Sequence, residues 1–528
     1  MKQHVSQSLF ILLIALLCLL PGYLFSRLYV TDGFLYQIIA YVQLSSPHDH
    51  LEIFTRGNYS FGFVEFLPGY PMTLSLYARM TGMAAPQVHF VPIAAVFLPL
   101  SYFVLARGLF QSTVIAGLFA LYGVFDIGQA SHYNMFAYTW SNLLYIGFLV
   151  FLLRAARYRQ GADILMLFLL FAGSLFMHYA ATMWMVVGTF SLNLLLLFGS
   201  GRLQRWIGQG LSRRGSLAMP GAFLIAFLTF NQLFYRVWLP SAAQLAAKGS
   251  TPFELFTAKL GTYLGFSAEA PEPFLYLNPW SEDLGLVRVL EYLIILLPVG
   301  VLLAHIALNY LRGRSLAVTD SNVKIMLLVA IPTGLAHWFI YGTHSGFNLR
   351  YVTLIFPFLM LMALRELKTP RWLQHAALGA LTALAIVSFA LALQYYQRLP
   401  PTSYGELKPS AGWFFRHRLS PEVLSDLDTA GVYLVNGSLI TGDYPQFIPY
   451  DSDLYGSLIN QPQSADDIPC YDYVVIDAGM LEKPLHGRSN RIYEPLSLHL
   501  TDLLENRHLT RIYDDGYAWL VVNRCEDR

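Results

Sequence analysis

The sequence predicts a polytopic α-helical membrane domain of about eleven spans, followed by an extracytoplasmic C-terminal α/β domain. Mean hydropathy is +0.47, and 13% of the 528 residues are charged, against roughly 25% in an ordinary soluble protein. Residues 1–394 hold 14 of the Asp and Glu residues, and residues 395–528 hold 19. The chain therefore divides into a membrane domain over 1–394 and a soluble domain over 395–528.

The membrane domain is predicted from its apolar segments. A spanning helix needs about 20 mostly apolar residues. The first such segment follows Lys2, lacks an A-x-A cleavage site and ends at Pro21-Gly22, so we interpret it as an uncleaved anchor. The predicted spans are 8–25, 88–107, 111–127, 136–153, 162–177, 181–199, 217–237, 286–308, 324–342, 351–366 and 373–394.

The charges predict the orientation. With the N-terminus in the cytoplasm, 15 Lys and Arg fall in short cytoplasmic loops and 8 fall on the other side of the membrane domain. Eleven of its 14 acids lie outside, and Asp163, Asp320 and Glu366 lie inside. We therefore expect a multi-pass protein of the cell (plasma) membrane, with long outer loops at 26–87 and 239–285 and an extracytoplasmic C-terminal domain.

Charge and cysteine content exclude some classes of protein. A net charge of +1 argues against nucleic acid as a partner. Membrane lipids are the expected partners of the apolar segments. Cys18, Cys470 and Cys525 have no zinc or redox spacing. Whether Cys470 and Cys525 form a disulfide stays open.

The C-terminal domain has alternating helix and strand patterns. Buried strands are predicted at 432–435 and 473–476, and helices at 421–430 and 496–507. Asp514-Asp515-Gly516 predicts a hairpin turn within 511–522. Asp472 and Asp477 flank the second strand and are expected to be solvated.

Acids near the apolar boundary are the first candidates for chemistry. Asp32 follows the first span and is either a helix N-cap or a base or metal ligand at the membrane surface. Asp126 ends the third span and is either a functional acid or a helix-end carboxylate facing water. Glu65, in the first outer loop, is a further candidate.

Histidines and an arginine complete the outer face. His48 and His50 alternate with acids as metal ligands do, although polar loops often contain such residues. His178 lies at an outer turn, where a lone histidine is more often a packing residue, and His337 precedes the last outer turn. The last outer turn contains His344, Arg350 and Tyr351, which are also candidate site residues.

Arg350 stands at the outer start of a predicted span. Its planar guanidinium suits phosphate, and the helix N-terminus adds partial positive charge. The alternative is an arginine that extends to the lipid headgroups. Acids together with an arginine at the outer surface suit a lipid-linked phosphosugar, whose tail lies in the bilayer and whose head is exposed.

The order of these motifs resembles the GT-C superfamily of polytopic glycosyltransferases, which includes oligosaccharyltransferases, protein O-mannosyltransferases and aminoarabinose transferases. The plan of about eleven helices followed by an outer domain is also similar. The motifs are Thr31-Asp32-Gly33-Phe34-Leu35-Tyr36, Phe66-Leu67-Pro68-Gly69-Tyr70-Pro71, Asp126, Met177-His178-Tyr179-Ala180-Ala181 and Asn348-Leu349-Arg350-Tyr351.

The resemblance implies an inverting transfer of a sugar from a polyprenyl-phosphate donor to an extracytoplasmic lipid, glycan or protein. It implies that Asp32 is the catalytic base or a metal ligand and that Asp126 serves a metal or acceptor site, for which the spacing of His48 and His50 makes them further candidates. It implies that Arg350, with His344, contacts the donor phosphate, and a divalent Mg or Mn is the expected cofactor if there is one.

Two departures from the family pattern narrow the substrate. Gly33 replaces the second acid that the mannosyltransferase branch commonly has after Asp32, and no WWD-type motif of oligosaccharyltransferases is present. The absence of the WWD-type motif argues against transfer of a whole oligosaccharide to Asn and favours transfer of a monosaccharide. The alternatives are a transporter or lipid flippase, a polysaccharide polymerase or ligase, and an assembly protein whose C-terminal domain binds a partner.

Overall fold

The computed structural model is mostly helical in the part of the chain that it describes. That part comprises 69–82, 93–126, 137–158, 160–177, 179–198, 221–226, 282–314, 320–342, 350–398, 404–417, 473–482 and 509–523, with short pieces at 12, 16–17, 19, 318, 423–424, 429, 433, 485–486 and 492–493. Its helices before residue 400 are α1 (Gly69–Thr81), α2 (Ile93–Phe110), α3 (Thr113–Phe125), α4 (Ala137–Tyr158), α5 (Gly161–Met177), α6 (Tyr179–Phe198), α7 (Glu282–Leu311), α8 (Ser321–Gly342), α9 (Arg350–Glu366) and α10 (Arg371–Arg398).

Helices α2 to α10 coincide with nine of the predicted spans, with ends that differ by at most five residues. Of the predicted spans 8–25 and 217–237, the described residues are helical and the rest lie outside the described part. Within that part, Leu286–Leu311 and Arg371–Leu391 are long and apolar enough to cross a membrane, and three shorter apolar helices accompany them. The total of eleven spans and their orientation stay predictions.

Helix α7 has one buried face, which begins with two charged residues, and one exposed face that is apolar. Arg288, Glu291, Ile295, Val299 and Leu302 are buried at helical spacing. The opposite stripe is exposed by 42–65% and consists of Leu286, Leu290, Leu293, Leu297 and Val301. Such a stripe is costly in water and stable in lipid, so this face is typical of one that contacts a bilayer.

Helix α9 lies at the centre of the bundle. Every residue from 351 to 364 except Val352 is buried, and a helix that is buried all round must be covered by neighbours on each side. Helices α7, α8 and α10 pack against α9, α6 packs against α8, and α3 packs against α2 and α10. The core of the described bundle is therefore formed around α9.

The described residues after 400 form α11 (Tyr404–His417), α12 (Ala478–Glu482) and six short strands. Four strands form one sheet in the order β1-β2-β6-β5, in which β1 is parallel to β2 and the other pairs are antiparallel. The strands are β1 (Val423–Leu424), β2 (Tyr473–Asp477), β3 (Leu485–His486), β4 (Ile492–Tyr493), β5 (Leu509–Asp514) and β6 (Ala518–Asn523). Strand 473–476 and the hairpin around Gly516, which has a φ of 84°, are thus confirmed.

Three predictions for this part are wrong. Val423 and Leu424 form a strand where a helix was expected, because they pair in parallel with β2. Tyr433 is helical where a strand was expected, and its ring contacts Phe414 of α11. Asp477 is fully buried rather than solvated. Segment 496–507, Asp472 and the three cysteines lie outside the described residues.

The burial of Asp477 is possible because hydrogen bonds from the protein replace those that its carboxylate would make with water. Its carboxylate accepts from the Thr429 hydroxyl at 2.5 Å and from the Met480 backbone N–H at 3.0 Å. The second bond caps the start of α12. The arrangement indicates a structural role for this carboxylate.

Gly188 allows α6 and α8 to approach closely, and this contact is testable. A Cβ at position 188 would lie 2.6 Å from Val329 Cγ1, whereas a Cβ at Gly379 of α10 would have no atom within 4 Å. We expect Gly188→Ala to cost about 1–3 kcal/mol by overpacking and Gly379→Ala to be neutral or to stabilise by about 1 kcal/mol. The check is thermal unfolding of the purified variants in detergent; equal Tm values would contradict this packing.

Candidate active site

Helices α3 and α9 run antiparallel and contact each other at two heights. The Phe119 ring stacks on the Phe358 ring with centroids 4.3 Å apart. Further along, the Tyr122 hydroxyl donates a hydrogen bond to the Thr353 carbonyl at 3.3 Å. As the residue number rises in α3 it falls in α9, so the C-terminal end of α3 and the start of α9 lie at the same end of the bundle.

These contacts bring Asp126 and the first residue of α9 to the same height. Asp126 lies four residues beyond Tyr122, and Arg350 lies three residues before Thr353. With a rise of about 1.5 Å per residue, both backbone positions lie about 4–6 Å beyond the joined pair. Two of the predicted site residues therefore belong to one end of the bundle, at the level of their backbones.

This level lies deeper than the ends of neighbouring helices. The Phe125 ring contacts the Phe389 ring of α10 at 5.3 Å, and α10 continues for nine more residues to Arg398, which is about 13 Å. Helix α7 begins six residues before Arg288 in the chain. Its first turn therefore extends about 9 Å past Arg288 toward the same end of the bundle. We call Asp126 and the first turn of α9 the recessed helix ends; segments 127–136 and 343–349, which follow and precede them, lie outside the described residues.

A buried ion cluster surrounds Asp126. Arg288 Nη1 lies 3.4 Å from Asp126 Oδ1 and 2.5 Å from Glu291 Oε2. Ser388 donates to Glu291 Oε1 at 3.0 Å, and Arg288 Nη2 donates to the Tyr292 hydroxyl at 3.2 Å. Asp126 and Glu291 are fully buried, and Arg288 is 6% exposed. The cluster of Asp126, Arg288 and Glu291 thus joins α3 to α7, and Ser388 joins it to α10.

Arg288 and Glu291 are candidate site residues that the sequence analysis missed. The available signal was their spacing. Positions three apart share a helix face, and these two precede the buried positions Ile295 and Val299 on one stripe of α7. Charged residues within a membrane-spanning stripe are functional candidates by default. Asp126 was found as a candidate, but the alternative of a carboxylate that faces water is wrong, because Asp126 is buried.

A second buried polar network joins four helices. The hydroxyls of Tyr145 in α4 and Tyr351 in α9 are 2.8 Å apart. Trp184 in α6 donates through Nε1 to His337 Nδ1 in α8 at 3.1 Å, and its ring contacts the rings of both tyrosines at 5.2 and 4.9 Å. The structure thus places the predicted residues His337 and Tyr351 together, beside the start of α9.

The hydrogen bond to His337 assigns its tautomer. An indole N–H is a donor only, so Nδ1 of His337 accepts, and a neutral imidazole then carries its proton on Nε2. The ring of His337 is thus held within this buried network by Trp184. Its ring is 1% exposed.

The other predicted site residues lie outside the described part of the chain. They are Asp32, His48, His50, Glu65, His178 and His344, and for Arg350 the backbone alone is described. Among the described residues, no group of three or more His, Cys, Asp or Glu side chains is placed to hold a metal ion. The predicted convergence of Asp32 with Asp126 stays a prediction.

The fold that carries these residues is similar to that of an oligosaccharyltransferase, one of the enzyme groups that the sequence resemblance includes. It is similar to a crystal structure of the Archaeoglobus fulgidus oligosaccharyltransferase in complex with Zn and sulfate, with a TM-score of 0.51 and 14% identity over 89% of this chain and 68% of that chain. A second structure of that enzyme, tethered with an acceptor peptide containing the NVT sequon, gives a TM-score of 0.54 and 15% identity over 90% and 69%. No protein-family model and no curated protein sequence matches the chain.

The charge balance of the ion cluster is testable by two neutral substitutions. Arg288→Gln leaves two buried carboxylates without their cation, and we expect a loss of about 3–5 kcal/mol. Glu291→Gln leaves one carboxylate against one guanidinium and retains hydrogen-bonding groups for Arg288 and Ser388, so we expect a much smaller loss. Thermal unfolding in detergent measures both, and equal losses would show that charge balance does not control stability here.

Proposed function

We propose that the chain is a glycosyltransferase of the inverting GT-C type. It moves a sugar from a polyprenyl-phosphate-linked donor to an extracytoplasmic lipid, glycan or protein acceptor. The observation that carries this proposal is the common height of Asp126 and the start of α9 at the recessed helix ends. The similar fold of an enzyme whose structures include an acceptor peptide, and a complex with sulfate, supports it.

The start of α9 is suited to the donor phosphate. The first four N–H groups of a helix have no partner within the helix and carry partial positive charge toward its N-terminus. Arg350, the first residue of α9, adds a fixed positive charge and a fork of donors that matches phosphate oxygens. Both groups stabilise the negative charge that remains on the polyprenyl phosphate when the sugar leaves.

Asp32 is the proposed base, on the strength of the family resemblance. Its carboxylate takes the proton from the acceptor hydroxyl or amide as that group attacks the anomeric carbon. A new glycosidic bond forms on one face of the sugar while the bond to the phosphate oxygen breaks on the other, so the configuration inverts. The proton ends on Asp32 and the electron pair on the departing phosphate.

Asp126 is the proposed acceptor-site or metal-site acid. Mg and Mn prefer oxygen ligands, and the Asp126 carboxylate supplies ligands of this type, although one of its oxygens faces Arg288. His48 and His50 are the further ligands that the sequence suggests. A bound metal would add positive charge near the phosphate.

The proposed site lies on the extracytoplasmic face of the plasma membrane. This follows from the predicted orientation, in which α3 ends and α9 begins outside. The domain over 395–528 then lies on the same side and is placed to cover the site or bind the acceptor. The exposed apolar stripe of α7 supports access for a lipid-linked donor from the bilayer.

Transport is the second candidate function, and the ion cluster is the observation that favours it. A path for ions or protons needs ionisable groups at successive depths of the bundle. In the described spans, the buried charged residues instead group at two levels: the ion cluster at one end, and Asp163, paired with Arg154 at 3.0 Å, at the other. Transfer chemistry at one end therefore accounts for the cluster better.

Substitution of Arg350 tests the donor site. Arg350→Gln removes the charge that the leaving phosphate needs, and we expect kcat/KM for the donor to fall about 100-fold or more. The assay is transfer of a radiolabelled sugar from polyprenyl-phosphate donors by the purified protein. The matched control is Arg371→Gln. It removes the charge of the first residue of α10, at the opposite end of the bundle, and should leave transfer unchanged.

Substitution of Asp32 tests the base. In the same assay, Asp32→Asn should lower kcat by about 100- to 10,000-fold, because the amide cannot accept the acceptor's proton. Asp320→Asn is the control: Asp320 is an exposed acid whose Oδ1 accepts from the Asn322 backbone N–H at 2.8 Å, at the end predicted to be cytoplasmic. Full activity in Asp32→Asn would contradict the assigned role.

A further inference from the structure

We infer that Tyr145 and Tyr122 are positioning residues for the donor phosphate, acting through the first turn of α9. This inference rests on the proposed role of Arg350. The two tyrosines come from different helices and hold two sides of the turn that begins with Arg350. Neither was a candidate in the sequence analysis.

The first anchor is the hydroxyl pair of Tyr145 and Tyr351. Tyr351 follows Arg350 directly, and the two hydroxyls are 2.8 Å apart with both residues fully buried. The Tyr351 ring is held on its other sides by Trp184, with ring centroids 4.9 Å apart, and by Phe356, at 6.2 Å. The second residue of α9 therefore has one orientation, which α4 and α6 determine.

The second anchor replaces a hydrogen bond that the helix itself does not make. In a regular helix the Thr353 carbonyl accepts from the N–H of residue 357. That residue is Pro357, which has no N–H and whose ring is crowded against the same carbonyl. The Tyr122 hydroxyl, from α3, donates to this carbonyl at 3.3 Å.

Pro357 makes these anchors necessary. A proline inside a helix weakens the connection between the turn before it and the rest of the helix and allows a bend there. The segment from Arg350 to Phe356 is therefore attached to the body of α9 less firmly than an ordinary helical turn. Hydrogen bonds from α3 and α4 hold this segment in one position relative to the bundle, and the direction of the Arg350 backbone depends on them.

The anchors also connect the donor and acceptor sides of the proposed site. Tyr122 lies one turn before Asp126, whose backbone N–H donates to the Tyr122 carbonyl at 2.9 Å. The same residue thus belongs to the turn that ends in Asp126 and bonds the turn that begins with Arg350. A shift of Tyr122 would change the distance between the two.

The test uses conservative variants and a donor-specific measurement. Tyr145→Phe and Tyr122→Phe each remove one hydroxyl and retain the ring. We expect each to weaken binding of polyprenyl phosphate in detergent about 3- to 10-fold, the effect of one lost hydrogen bond, and to raise KM for the donor by a similar factor. The KM for the acceptor and the Tm should change far less.

The matched control is another buried hydroxyl pair. Ser174 and Thr182 are fully buried and their hydroxyls are 3.0 Å apart, joining α5 to α6. The variant Ser174→Ala with Thr182→Val removes that pair, and we expect its affinity for polyprenyl phosphate to stay within twofold of the unaltered protein. Tyr351→Phe also removes the bond between the two hydroxyls, so it should weaken polyprenyl-phosphate binding as Tyr145→Phe does, and the effects of the two substitutions should not add fully.

Distinct results separate this inference from the proposed function. If the unaltered protein binds polyprenyl phosphate in a Tyr145-dependent way but transfers no sugar, the proposed function fails and the positioning role stands. If it transfers sugar and both tyrosine variants match the control pair, the positioning role fails alone. Equal losses for donor and acceptor would indicate general packing and overturn the inference, as would absence of any polyprenyl-phosphate binding.

Discussion

The pairing of one buried guanidinium with two buried carboxylates is the interaction on which the recessed helix ends depend. An ion in a medium of low dielectric constant costs several kcal/mol unless an opposite charge and hydrogen bonds compensate it. Arg288 meets this requirement with Asp126 of α3 and Glu291 of its own helix, and Ser388 of α10 completes it. These three helices therefore cannot separate at this end without leaving a charge unpaired. The same pairing keeps Asp126 at depth instead of in water.

Depth also gives the site its proposed chemistry. Charges interact more strongly where water is scarce, so a carboxylate and a helix N-terminus at the recessed ends act more strongly there than at an exposed surface. Helix α7 separates the two environments that the proposed reaction needs. Its buried face carries Arg288 and Glu291, and its opposite face exposes the apolar side chains of Leu290 and Leu297. A substrate with a charged head and an apolar tail fits such a boundary.

The fold was predictable from sequence to the extent that hydrophobicity determines it. Long apolar segments must be helical in a bilayer, because each backbone group needs a partner within the segment, so the ends of α2 to α10 could be placed within five residues. Short strands obey no such constraint. Val423 and Leu424 are a strand because β2 is beside them, and no local signal distinguishes that from a helix. Tyr433 is buried against Phe414, a residue 19 positions earlier, for the same reason.

By itself, the sequence determined the class of fold, the helices and the candidate residues Asp126, Arg350, His337 and Tyr351, since hydropathy and charge are properties of single segments. Tertiary structure alone decided which of these meet. It revealed that Arg288 and Glu291 belong with Asp126, that Tyr145 bonds Tyr351, and that Tyr122 supplies the donor that Pro357 lacks. Each of these is a contact between residues that lie far apart in the chain or on neighbouring turns of one buried face. Such contacts depend on how the helices are packed, and the composition of a single helix does not encode that packing.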